Sequence, residues 1–233
     1  MPFKLAYCAG HHLGNANGIP ASLIPGGVRE WTLNDRIADA LVEAAAQYQD
    51  VELLRTDDPT GNRLIDIPER CAAANRWGAD LYLDIHHNAG INGGSGGGIV
   101  LFSYPGSVKG KQYRDAIYRS LIAAGAPAGN RSEPLQEKAL DSLRYSTMPA
   151  VLAEYGFMDS QTDVPVITDE GYPRLAAAAT MAGIAAVAGL KKKPAVRYRV
   201  QLGAFAERES VLSLVKALNA AGFPEAFITE ITL

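Results

Sequence analysis

The 233-residue sequence is short of most features that would place it in a specialised class. It holds two cysteines, Cys8 and Cys71, too few for the disulfide framework of a small secreted domain. Charge of neither sign dominates: 22 basic residues against 25 acidic ones leave a net charge of −3, so no basic face marks a general nucleic-acid binder. A long hydrophobic run is missing too. The longest apolar stretch, residues 175–190, is alanine-rich and shorter than the ~20 strongly apolar residues of a membrane span, so it is expected to be a buried helix. Residues 1–8 are too short an apolar run for a signal peptide and lack a small-residue cleavage site, which predicts synthesis in the cytoplasm. No internal repeat is visible. Histidine is scarce, and its four copies fall as two adjacent pairs, His11-His12 and His86-His87.

What is present is a core-forming composition, 48% apolar, over a length that suits one large domain with a small appendage. Residues 4–8, 51–55, 79–85, 99–104 and 150–154 read as strands, and residues 31–48, 67–77 and 111–124 as helices. In the first helix Leu33, Ile37, Ala40, Leu41 and Ala44 recur at spacings of three and four. This alternation predicts an α/β fold: a mostly parallel twisted sheet with helices on both faces. Residues 13–28, rich in glycine and proline, have no periodicity. Residues 92–98 have the composition of a phosphate loop. They lack its Lys-Ser or Lys-Thr and lead into a strand, so they are expected to be a flexible connection beside the site. Lys191-Lys192-Lys193-Pro194 marks a boundary, giving a first domain over 1–190 and a linker over 191–196. Residues 197–233 form a small β-α-β segment, with strands expected over 198–205 and 225–231 and a helix over 209–221.

In doubly wound sheets, ligands gather outside the carboxyl ends of the strands. Both histidine pairs fall there, after the first and third strands. Two imidazoles meeting at one sheet edge are natural metal ligands, and His2Glu with an open position is one of the catalytic zinc sets. Glu30, at the start of the first long helix, can supply the acid. Glu154, at the end of strand 150–154, reaches the same edge and can act as general base. Plainer readings stand beside these. Glu30 also suits a first-turn helix acid, Glu154 a partner for an arginine such as Arg144, and the histidines ordinary loop positions.

Four motifs, in order, resemble one family: Ala9-Gly10-His11, Glu30, Asp84-Ile85-His86-His87-Asn88 and Ala153-Glu154-Tyr155-Gly156-Phe157. The sequence resembles the zinc-dependent N-acetylmuramoyl-L-alanine amidases of the amidase 3 type, over residues 3 to about 189. The resemblance implies zinc as cofactor, His11, Glu30 and His86 as its ligands, and Glu154 as the catalytic residue. It implies peptidoglycan as substrate, cut between the lactyl group of N-acetylmuramic acid and the L-alanine of the stem peptide. The enzyme would then be a phage endolysin or a host lytic enzyme that acts on the wall after release. Some positions depart from the pattern. Where Asp-Pro-Gly-His-Gly is common, this chain has Cys8-Ala9-Gly10-His11-His12, and His87 is a second departure. His12 and His87 either line the substrate groove or sit at the surface, the surface being the preferred reading, and Cys8 is expected in the packing and not as a ligand.

Residues 197–233 are similar to the opening half of a SPOR domain, a peptidoglycan-binding family, but lack its second helix and further strands. Such a fragment hardly buries a core of its own. It is therefore cut short, docked on the first domain, or paired with a second copy in a homodimer, and weak wall binding is expected of it alone. Two other functions remain open at this point: a non-catalytic wall-binding module, and a zinc deacetylase of acylated sugars with Asp84 among its ligands.

Overall fold

The computed structural model of the chain describes residues 1–194 and 202–229. The chain divides into two compact units, Met1–Lys193 and Pro194–Leu233.

The first unit starts with β1 (Phe3–Ala9). The short β2 (Gly18–Ile19) and β3 (Val28–Arg29) then pair antiparallel, closing the glycine-rich loop and delivering the chain to α1 (Glu30–Ala45). There follow β4 (Val51–Arg55), α2 (Ile67–Trp77), β5 (Leu81–Asn88), β6 (Val100–Ser103) and α3 (Val108–Ala123). Next come β7 (Leu135–Glu137), α4 (Asp141–Tyr145), β8 (Ala150–Phe157), α5 (Val164–Ile167) and α6 (Tyr172–Ala188). The sheet has the order β4-β1-β5-β8-β6-β7. The first four strands are parallel, β6 runs antiparallel to β8, and β7 lies parallel to β6. The expected α/β architecture is therefore the observed one, a mixed sheet that is mostly parallel.

Strand parity explains the layers, because successive side chains point to opposite faces. Leu5, Tyr7, Leu81, Leu83, Ile85, Val151, Ala153 and Tyr155 face one core, together with α1, α3 and α6. Ala6, Cys8, Tyr82, Ala150 and Leu152 face the other, under α2 and the short α4. Both faces are covered, so the central strands read as near-continuous apolar runs. Each fully buried Leu, Ile or Val here contributes roughly 1.5–3 kcal/mol. The apolar stretch at 175–190 is indeed a buried helix, α6. Its small residues allow close packing: a Cβ on Gly183 would lie 2.5 Å from the Ile117 Cα of α3. Among the described residues, no helix is long and apolar enough to cross a membrane.

In the second unit α7 (Arg208–Ala220) has no buried residue. Of the strands expected there, residues 198–201 and 230–231 lie outside the described residues, and 202–205 and 225–229 are not in a strand. A strand needs a hydrogen-bonded neighbour and an apolar face to cover, and a unit of ~40 residues supplies little of either.

Candidate metal centre

The carboxyl ends of β1, β5 and β8 and the start of α1 meet at one edge of the sheet. The chain leaves β1 at Ala9, and the Gly10 N–H donates to the Ile85 carbonyl at 2.8 Å. Position 10 must be glycine for a steric reason, because a Cβ there would sit 2.1 Å from the His86 ring. His11 follows in the left-handed region, at φ 66°. A non-glycine residue there costs on the order of 1–3 kcal/mol and persists only when its surroundings hold it. The buried guanidinium of Arg70 does so, donating to the carbonyls of Ile65 at 2.7 Å, Ala9 at 3.0 Å and His11 at 2.8 Å. The Asn15 amide lies 3.0 Å from His11 Nδ1, which leaves Nε2 turned inward.

Glu30 opens α1, where the helix N-terminus favours an anion. Its N–H donates to the Asn17 carbonyl at 2.8 Å, and its side chain is buried. Oε2 lies 3.1 Å from His11 Nε2 and Oε1 lies 3.0 Å from His86 Nδ1. The same Oε1 accepts from the His87 N–H at 3.2 Å and from Asn34 Nδ2 at 3.4 Å. Burial alone would push this carboxyl up. The hydrogen bonds and charges of the two histidines outweigh it and hold Glu30 well below the usual carboxylate range. One ligand atom from each of His11, Glu30 and His86 lies within 4.8 Å of the others. Two imidazole nitrogens and a carboxylate oxygen match the donor types of a catalytic zinc site.

Glu154 stands beside His86 in the parallel register of β5 and β8. Its Oε2 is shielded from solvent and has no hydrogen-bond partner among the described residues. Burial raises the carboxyl to about 7, against an opposing pull from His86. A carboxyl poised near neutrality, beside a cluster able to hold a metal, suits proton transfer to and from a reacting group. The ion-pair reading of this residue fails, because Arg144 is paired with Asp141.

Two expectations need correction. His87 is buried, not at the surface: its Nδ1 lies 2.7 Å from Asn34 Oδ1, and burial lowers its pKa to about 3, so it stays neutral. The sequence held the signal, since His87 continues the parity of Leu83 and Ile85 into the same core. The glycine-rich loop 92–98 is also not loose. Asp159 Oδ2 accepts from the N–H groups of Gly90 and Asn92, and Asp163 Oδ2 from those of Gly98 and Phe157. His12 is half-buried, its Nδ1 accepting from the Gly14 N–H at 3.0 Å. Cys8 is packed inside as expected, donating to Asp84 Oδ1 at 3.0 Å. Sequence patterns missed Arg70 and Asn34, whose roles depend on contacts to Ala9 and His11, 61 and 59 residues away, and to Gly10 and His87, 24 and 53 residues away.

Comparisons with known proteins agree on one family. The N-acetylmuramoyl-L-alanine amidase family model of the amidase 3 type matches residues 8–186. The chain is 32% identical over 216 residues to the N-acetylmuramoyl-L-alanine amidase CwlM of Bacillus licheniformis, covering 91% of this chain and 79% of that one. It is 32% identical over 202 residues to the sporulation-specific N-acetylmuramoyl-L-alanine amidase of Bacillus subtilis, covering 84% and 75%. In fold it is similar to the N-acetylmuramoyl-L-alanine amidase of Clostridium difficile 630, with a TM-score of 0.72 at 22% identity, over 81% of this chain and 97% of that one. With its motifs in the family's order and their side chains gathered at one sheet edge, the chain belongs to the N-acetylmuramoyl-L-alanine amidase family.

Proposed function

We propose that this chain is a zinc-dependent peptidoglycan hydrolase that cleaves the amide bond between N-acetylmuramic acid and the L-alanine of the stem peptide. The observation that carries the reading is the convergence of His11, Glu30 and His86, with their donor atoms within 4.8 Å, beside the shielded carboxyl of Glu154. These three residues would hold the zinc. When bound, it supplies Lewis-acid polarisation of the amide carbonyl and acidifies water at the site.

The remaining work falls to the chain. Glu154 takes a proton from the attacking water and later gives one to the leaving amine of L-alanine, a dual role suited to a pKa near 7. The hydrogen bonds from His87 and Asn34 keep Glu30 facing the cluster. Arg70 holds the left-handed turn that presents His11. Made in the cytoplasm and acting on the wall after release, the protein would serve as a phage or host lytic enzyme. Residues 197–233 would add weak contact with the wall, as a SPOR-like fragment whose helix is α7.

Clearing of a cell-wall suspension tests the activity. Treated walls should release free L-alanine amino groups and no new reducing sugar ends, and a chelator should stop the reaction. New reducing ends without amino groups would overturn the amidase reading. A chelator that leaves lysis unchanged would overturn the zinc reading.

A further inference from the structure

We propose that Asp84 is the positioning carboxylate of this centre: it holds the His86 ring through Nε2, so that Nδ1 is the nitrogen offered to the metal. The inference rests on the reading of His11, Glu30 and His86 as ligands. Asp84 lies two residues before His86 on β5, so strand parity puts both side chains on one face. Asp84 Oδ1 is 3.1 Å from His86 Nε2, and at the opposite edge of the ring Nδ1 is 3.0 Å from Glu30 Oε1. One nitrogen is thus occupied by a fixed carboxylate and the other faces the cluster.

The carboxylate is itself immobilised. It is buried, and its Oδ1 also accepts from Cys8 Sγ at 3.0 Å, from the position directly across the β1–β5 register. The Tyr82 hydroxyl donates to that thiol at 3.2 Å and lies 3.4 Å from Thr56 Oγ1. Asp84 therefore stands at the end of a buried polar chain. A buried carboxylate is costly unless it is paired and hydrogen-bonded, and the His86 ring supplies that partner. A carboxylate on the second nitrogen of a metal-ligating histidine fixes its tautomer and raises its basicity, and loss of such a partner weakens metal affinity about 10- to 100-fold.

Asp84→Asn keeps the size and removes the charge. Zinc affinity is measured on full-length, chelator-stripped protein by competition with a chromophoric chelator, for wild type, Asp84→Asn and His11→Ala. Wild type is expected to bind zinc far more tightly than His11→Ala, and Asp84→Asn about 10- to 100-fold more weakly than wild type. If wild type binds no better than His11→Ala, the ligand reading itself fails. If wild type binds and Asp84→Asn matches it within about twofold, the ligand set stands and the inference about Asp84 is overturned. Long-range proton–nitrogen NMR on zinc-loaded wild type gives a readout independent of the variant's folding. A proton on His86 Nε2 is expected, and a proton on Nδ1 overturns the inference.

Discussion

Replacing Glu154 by glutamine exchanges an ionisable carboxyl for a neutral amide of the same shape, so function and stability should move in opposite directions. In the folded chain burial raises this carboxyl from its ordinary 4.5 to about 7. Between those values the native state keeps a proton that the unfolded chain has released. Wild-type stability therefore falls as pH climbs from about 4.5 to about 7, and the full penalty of ~3 kcal/mol persists above that. Glu154→Gln has no such decline. Its advantage over wild type should widen from under about 1 kcal/mol near pH 5 to about 3 kcal/mol near pH 8. A bound dication would itself favour the ionised carboxylate, so metal-free protein isolates the effect of burial. Urea unfolding followed by tryptophan fluorescence reads it cleanly, because both tryptophans, Trp31 and Trp77, lie in the first unit. The same variant should lose about 100- to 10,000-fold of wall-clearing activity, the usual contribution of a general acid–base group. Parallel stability curves for the two proteins between pH 5 and pH 8 would refute the account of Glu154 as a carboxyl held near neutrality by burial.

Three further substitutions probe the site and the core behind it. Gly10→Ala should displace the His86 ring, which a Cβ would meet at 2.1 Å, and zinc stoichiometry in the purified protein should drop below that of wild type. Arg70→Ala leaves the carbonyls of Ile65, Ala9 and His11 without their donor. A loss of about 3 kcal/mol is expected in urea unfolding, since each abandoned buried acceptor costs roughly 1–3 kcal/mol when water reaches it poorly. Gly183→Ala forces α6 away from Ile117 on α3, and overpacking of this kind should cost ~1–3 kcal/mol while lytic activity per folded molecule stays unchanged.

Much of the fold was legible because period and burial agree. Strand 51–55 and helix 67–77 have in the structure the bounds their patterns suggest. Elsewhere the apolar signal stops before the element does. β5 and β8 each run three residues past the expected ends, through His86-His87-Asn88 and Tyr155-Gly156-Phe157, since backbone pairing with a neighbour continues where the apolar run gives out. β7 has three residues and no periodicity, and only its ladder to β6 defines it.

Residue order was enough to specify the alternation that builds the sheet, the placing of both histidine pairs at strand ends, and the chemical types of the candidate ligands. Those are local properties, set by side-chain period and by residue identity. The tertiary structure supplied what brings one member of each pair, His11 and His86, to Glu30. At β5, parity sends His87 into the core against Asn34 and leaves His86 between Glu30 and Asp84. At β1, a left-handed turn clamped by Arg70 aims His11 at Glu30 from 19 residues earlier in the chain. It also decided the protonation of Glu154, because a carboxyl's pKa depends on the water removed from around it. That removal is the work of strands and helices distant in sequence.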